Sequence, residues 1–337
     1  MIIRKLNYFL LLWGGLWLFS ACSDSPATQT SFYFWRTAFQ LNKTERNTLL
    51  ENKSRKLYVR YFDIDLNKNG EVFPRAKIDM LDTTDCEIIP VIYIKNRVML
   101  NEQWNMNELI DKTLHLVKDI HRQTHSKLKE IQIDCDWTIE SRDRFLRFVK
   151  LFHRAWGGEL SVTIRLHQVK YLRQTGIPDV NYGVLMYYNM GHIDELNKNS
   201  IYDKNIADRY IQSLSTYPLP LKVALPIFSW GIQTRAGKVV SLWNKKTRQD
   251  LTSDKNLKAI DTNRFSVIKS FYQQGKYFRK GDEIYYEGIS KKDLREMAKD
   301  LKKNIHLFKN EIIFYDLDSI SIQQYETNTF QKVSARF

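Results

Sequence analysis

Alternation is the feature that most constrains this chain. Runs rich in β-branched and aromatic residues recur eight times, at Phe32–Arg36, Leu57–Phe62, Glu87–Ile94, Glu130–Asp136, Leu160–Leu166, Gly183–Tyr188, Lys222–Phe228 and Glu311–Tyr315. Runs of this kind read as strands. Between them lie stripes at helical spacing: Leu109, Leu114, Leu116, Val117 and Ile120; Phe145, Phe148, Val149, Phe152 and Trp156; Leu294, Met297, Leu301 and Ile305. Such stripes face a core and carry no chemistry. Eight strands alternating with helices predict an α/β fold, a single closed parallel (β/α)8 TIM barrel over 32–337. An open doubly wound sheet is the competitor, but it usually carries a glycine-rich phosphate loop after its first strand. Here Trp35 is followed by Arg36, Thr37, Ala38 and Phe39. One connection is much longer than the rest. Residues 231–289, between the seventh strand and its helix, contain strand-like stretches at Ser266–Gln273, Tyr277–Phe278 and Glu283–Gly288. They predict a small β-rich insertion after strand seven, on the C-terminal rim, where long loops shape binding clefts.

The N-terminus predicts export. Arg4 and Lys5 precede an apolar run from Leu6 to Phe19, which is too short to span a hydrocarbon core of roughly 30 Å and has the layout of a signal peptide. Residues 1–21 are expected to be removed. The small residues Ser20 and Ala21 before Cys22 resemble a lipobox, which makes Cys22 the expected lipidation site, 22–31 a tether, and the cell envelope, with the outer membrane first, the expected location. Arg4 and Lys5 leave with that segment, which takes the formal net charge from +14 to +12. A basic chain suits anionic partners, yet its cations are scattered. Dense pairs such as Lys291-Lys292 and Lys302-Lys303 fall on amphipathic helical patterns. No zinc finger, RNP or helix-turn-helix pattern is present, so nucleic acid is not an expected partner. Cys86 and Cys135 sit in strand-like surroundings and read as buried thiols. The seven histidines show no zinc spacing, and the turn Asp65–Gly70 lacks the terminal glutamate of a calcium loop. No metal and no cofactor are expected.

In a parallel barrel, chemistry sits at the C-terminal ends of the strands. Those ends carry Trp35 and Arg36; Asp63 and Asp65; Asp134 and Asp136; Tyr187, Tyr188 and Asn189; Trp230; and Asp316 and Asp318. Aromatics mixed with carboxylates and an amide suit a sugar. Rings stack on pyranose faces, and carboxylates bind hydroxyls or act as acids and bases. The fourth strand is the sharpest case. Side chains alternate faces, so Gln132, Asp134 and Asp136 share the lumen while Cys135 faces the helices. Asp136, Asp134 and Glu140 are the catalytic candidates. Trp35, Arg36, Asp63, Tyr188, Asn189, Trp230 and Asp316 are the candidate substrate-binding residues.

These motifs resemble glycoside hydrolase family 18, the chitinase-like barrels. The family's strand-four signature Asp-x-x-Asp-x-Asp-x-Glu aligns on Asp134 and Asp136, with Ile131 at its first aspartate and Thr138 at its glutamate. Met186-Tyr187-Tyr188-Asn189 resembles the family's Met-x-Tyr-Asp, and Leu225–Gly231 resembles its strand-seven segment. The family often inserts a small module after strand seven, where 231–289 falls. The resemblance implies a TIM barrel acting on glycans. It also implies a departure, because Thr138 stands where the family's proton-donating glutamate stands and Asn189 where its aspartate does. The lipobox and the missing glutamate bring the chain closest to barrel lipoproteins of this superfamily. Three functions therefore compete: a glycan-active enzyme with a rearranged acid at Asp136, Glu140 or Asp63 and Asp134 as its pKa-raising neighbour; a non-catalytic glycan-binding lipoprotein; and a structural component of the envelope. The partners implied are a glycan and, through the lipid, a membrane. The sequence sets no oligomeric state.

Overall fold

A computed structural model describes residues 27–194 and 198–337. Cys22 and the apolar segment before it lie outside the described residues. Eight parallel strands form the barrel: β1 (Gln29–Phe34), β2 (Lys56–Leu66), β3 (Glu87–Ile94), β4 (Glu130–Asp134), β5 (Glu159–Arg165), β6 (Tyr182–Met186), β7 (Leu221–Pro226) and β8 (Phe308–Tyr315). Each pairs with the next, and β1 pairs with both β8 (Ser31 beside Ile313) and β2 (Phe32 beside Leu57), which closes the ring.

The strands form where β-branched and aromatic side chains alternate, and the barrel is sealed by helices with one apolar face. In Arg142–Trp156, Phe145, Phe148, Val149 and Phe152 are all buried. They recur at three- and four-residue intervals on one face, and each buried phenylalanine stabilises the fold by about 1.5–3 kcal/mol. That helix stops at Gly157, whose φ of 70° is a left-handed cap that glycine takes without strain. Lys291–Asn304 starts from a capping box between Ser290 and Asp293 and buries Leu294, Met297 and Leu301. Its basic residues lie off this buried stripe.

Two features depart from the sequence reading. Gln29–Ser31, expected in the tether, belong to β1. Thr30 bonds Ser334 of the helix Thr329–Ser334 at 2.8 Å outside the barrel, Ser31 donates to Glu311 at 2.6 Å inside it, and Gln29 is exposed. The connection from β2 to β3 carries no helix. It runs through Val72–Arg75, which folds back antiparallel on β2, and the short strand Asp79–Met80, which pairs with Ala38–Phe39. Alternation was therefore complete in strands but not in helices.

The insertion after β7 is an antiparallel five-stranded sheet, ordered Lys238–Asn244, Trp230–Arg235, Glu283–Glu287, Arg264–Val267, Leu257–Ala259. It encloses its own core of Trp243, Leu251, Leu257, Phe265, Val267, Phe278 and Ile284. Its first hairpin and the helix Arg248–Ser253 were not visible as patterns in the sequence. No helix among the described residues is long and apolar enough to cross a membrane.

Candidate functional site

The lumen is polar at both ends. At its base Lys222 is buried. Its ammonium lies 2.8 Å from Glu311 and 3.8 Å from Glu130, and donates to the hydroxyls of Tyr58 (2.9 Å) and Tyr182 (2.6 Å). Lys56 reaches Glu130 at 3.3 Å, while Tyr182 and Ser161 both donate to it. Two cations thus meet two carboxylates, and every oxygen has a partner.

Above this floor, β4 places its residues as alternation requires. Gln132 accepts from the Tyr33 hydroxyl at 2.6 Å, Asp134 accepts from Thr163 at 2.6 Å, and Asp136 emerges at the mouth, while Cys135 is buried on the other side. Burial, then the charge of Asp136, raises the Asp134 carboxyl to about 6, with Arg165 and the Thr163 hydrogen bond pulling the other way. Asp136 is clamped by Arg165 through two hydrogen bonds, 2.6 Å from Nε and 3.2 Å from Nη2. A cleft of about 380 Å³ opens here, lined by Asp136, Thr138, Arg165, His167, Tyr188 and Asn189. Asn189 takes a φ of 54°, a left-handed conformation that asparagine tolerates better than most residues. Thr138 turns its hydroxyl toward Asn96 and holds no carboxyl in the cleft.

A rail of half-buried rings crosses the mouth. Tyr93 meets Trp35 at 6.4 Å between ring centres, Trp35 meets Tyr315 at 5.6 Å, Tyr315 meets Phe228 at 5.8 Å, and Phe228 meets Trp230 at 5.2 Å. Tyr188 packs against Tyr315 and Phe228 from the cleft side. Trp230 is fixed by a 2.8 Å hydrogen bond to Glu287 of the insertion, so the inserted sheet sets one end of the rail.

The remaining predicted residues divide. Asp63 stands beside the rail, but Arg60 holds both its oxygens at 2.6 Å while lying over the Trp35 ring. Asp316 is buried next to Tyr315. Burial first, with Asp318 adding and Lys245 opposing, raises it to about 6. Asp318 caps the helix Ser319–Ile322 and pairs with Lys245 of the insertion at 2.6 Å. Arg36 leaves the mouth: it packs over Phe34 and pairs with Glu45 at 2.8 Å, on the helix after β1. Glu140 is fully exposed on the turn after β4 and does not line the cleft. Tyr187 faces the helices, beside Tyr202. Asp65 is fully buried and gathers Lys95, Arg97 and Arg75. Sequence reasoning passed over Arg165, Arg60, Tyr93, Phe228 and Tyr315. For Arg165 the signal was present, since Glu159, Ser161, Thr163 and Arg165 alternate with the apolar Leu160, Val162 and Ile164 along the strand.

No family model matches this sequence, and no curated protein does. Among solved structures, the spore cortex-lytic enzyme SleL of Bacillus cereus superposes with a TM-score of 0.57 at 13% identity, covering 92% of this chain and 74% of that one. A GH113 β-1,4-mannanase superposes with a TM-score of 0.48 at 10% identity, covering 91% and 98%. At such identities the likeness is one of fold alone, and SleL supports the (β/α)8 barrel described above.

Proposed function

We propose that this chain is an exported, lipid-anchored barrel that binds a saccharide chain across the mouth of its strands without cleaving it. One observation carries this reading. The solvent-facing carboxylate of the cleft, Asp136, is clamped by Arg165 beside a rail of half-buried rings, and the position where the family-18 motif would put its acid is Thr138. Aromatic faces and fixed hydrogen-bonding groups suffice for binding, whereas glycoside hydrolysis needs a carboxylic acid that reaches the leaving oxygen. Both oxygens of Asp136 are occupied by the Arg165 guanidinium, so neither is free to reach a leaving oxygen. Asp136, Tyr188 and Asn189 line the saccharide site, Trp35 and Trp230 supply stacking faces, and Asp63 and Asp316 support the rail. The barrel's likeness to a cortex-lytic enzyme and the family-18 motifs on β4 and β6 support a glycan ligand.

A glycan array probed with wild type and Trp35→Ala tests the reading. Binding that the substitution weakens at least tenfold, about 1.4 kcal/mol, supports it, and no binding to any saccharide refutes it. The envelope location has its own test. Mass spectrometry of the protein extracted from membranes is expected to find Cys22 as a diacylated N-terminus, and an unmodified or differently cut end would overturn that part.

A second reading is hydrolysis with Asp134 as the proton donor. It is favoured by the raised pKa of that carboxyl, which leaves a share of it protonated near pH 6. It predicts shortened products that vanish in Asp134→Asn.

A further inference from the structure

We propose that the saccharide bound at this mouth is acidic, and that its carboxylate or sulfate groups dock on a cation triad, Arg75, Lys95 and Arg97, on the rim beside β2 and β3. The proposal rests on the saccharide-binding reading above and names the ligand's class. Its anchor is Asp65, which has no solvent exposure. Lys95 lies 2.8 Å from it, Arg97 2.5 Å and Arg75 3.6 Å. Burial alone would raise the Asp65 carboxyl, but the Lys95 ammonium beside it and hydrogen bonds from the Leu66 amide and Arg97 outweigh it and hold it down at about 2. Asp65 is therefore a permanent charge.

One cation would neutralise that carboxylate, yet three are gathered, which leaves a surplus of two positive charges. The outer parts of the three side chains remain open, with 32% of Lys95, 54% of Arg97 and 59% of Arg75 exposed. The strand-end carboxylates on either side are already taken, Asp63 by Arg60 and Asp136 by Arg165. Long cationic side chains are costly to order. Here a single buried anion pairs closely with Lys95 and Arg97 before any ligand arrives, with Arg75 3.6 Å away, an arrangement that lowers the ordering cost of binding a second anion. Arginine forks suit planar, bidentate oxyanions in particular.

The position ties the triad to the rail. Arg75 comes from Val72–Arg75, the stretch that stands where a helix would ordinarily connect β2 to β3. In the pairing of β2 with β3, Asp63 is opposite Tyr93, and the Lys95 amide donates to the Ile64 carbonyl at 3.1 Å. Lys95 thus stands one strand step beyond Tyr93, the first ring of the rail, so a chain lying along the rings runs onto the cations at that end. An anionic lipid headgroup shares the charge chemistry, but it does not account for the row of rings.

The test uses tetrasaccharides in matched pairs: tetragalacturonate and tetramannuronate beside their methyl esters, and a chondroitin sulfate tetrasaccharide beside its desulfated form. Calorimetry at low salt is expected to find at least one acidic member bound about tenfold more tightly than its uncharged partner, with the preference shrinking as salt rises. In the double variant Arg75→Gln/Arg97→Gln the ratio should fall toward one, with affinity for the uncharged partner unmoved and the fold retained at a lower melting temperature, because Lys95 still pairs with the buried Asp65. Equal affinity within every pair, or a preference that survives the double substitution, overturns the proposal. If only neutral saccharides bind, and Trp35→Ala removes that binding, the acidic class fails while the saccharide reading stands. If no saccharide binds at all, that reading fails. Sedimentation with phosphatidylglycerol vesicles covers the remaining source. Vesicle binding that the double variant abolishes, with saccharide affinity unmoved, would make the triad a membrane contact and overturn the proposal.

Discussion

The two ends of the barrel lumen both bury carboxylates, and they treat them in opposite ways. At the base, Glu130 and Glu311 face Lys222 and Lys56, with tyrosine and serine hydroxyls filling the remaining positions. The charges balance, only Lys56 keeps part of its side chain in solvent, and although burial pushes the Glu130 carboxyl up, Lys222 and Lys56 oppose that rise. At the mouth, Asp134 has a hydroxyl for a partner but no cation of its own, because Arg165 is spent on Asp136. Asp316 is buried, with Lys245 directed mainly at Asp318. Both mouth carboxyls titrate near 6. A network at the base that satisfies all its members holds the barrel together. Acids at the mouth that fold at a cost, beside half-exposed rings, mark where the molecule meets something else.

The comparison is broken most easily at the base. Lys222→Met leaves two buried carboxylates without their main partner and should cost about 3–5 kcal/mol, read as a lower midpoint in urea unfolding. A loss below about 1 kcal/mol would mean that the network is dispensable and that the contrast with the mouth is false.

The mouth should answer in the other direction. Asp134 and Asp316 have folded-state pKa values raised above the ordinary 3.8, so the folded chain binds more protons than the unfolded chain between about pH 4 and 6. Their contribution to stability is full below about pH 4 and is lost as pH rises through about 6. Asp134→Asn keeps an acceptor for Thr163 and removes the charge. It should therefore be more stable than wild type at pH 7.5 by about 1–3 kcal/mol, with the gap closing at pH 4. Thermal melts at the two pH values check this, and a variant that melts lower at pH 7.5 would make Asp134 a structural residue like those at the base.

Smaller effects sharpen the picture of the cleft. Asp136→Asn should weaken saccharide binding about tenfold, or about 1.4 kcal/mol, with little change in melting temperature. A variant that binds like wild type but melts several degrees lower would assign the Asp136–Arg165 pair to architecture. Trp230→Ala, at the far end of the rail, should cost about 0.5–1.5 kcal/mol of affinity, and only for chains long enough to reach it. Titration of a length series reads that dependence, and a uniform loss across all lengths would contradict the rail.

Much of this was legible in the sequence because it is local. All eight barrel strands were legible from alternation, and the parity of Gln132, Asp134 and Asp136 follows from the two-residue repeat of a strand. The helical stripe from Phe145 to Phe152 predicted its own burial. What stayed hidden depends on partners far apart in the chain. Asp136 meets Arg165 across 29 residues, and Asp65 meets Arg97 across 32. No spacing rule connects them until β4 lies beside β5 and β2 beside β3. Arg36 and Glu140 were credited to the mouth because they sit near strand ends. Arg36 is instead turned outward by the same alternation that brings Trp35 inward, and Glu140 lies on a solvent-facing turn. The missing helix between β2 and β3 left a weak trace, the absence of an apolar stripe over 67–86. The first hairpin of the insertion left none.

The central claim is that the mouth holds a saccharide and does not cut it. The most direct test is mass analysis of an oligosaccharide that the array shows to bind, kept with the protein at pH 6 for days. The account predicts that it is recovered at full length from wild type, and that Thr138→Glu is the place to look for a gain of cleavage. Shortened products from wild type that disappear in Asp134→Asn would contradict it and assign this barrel to the hydrolases.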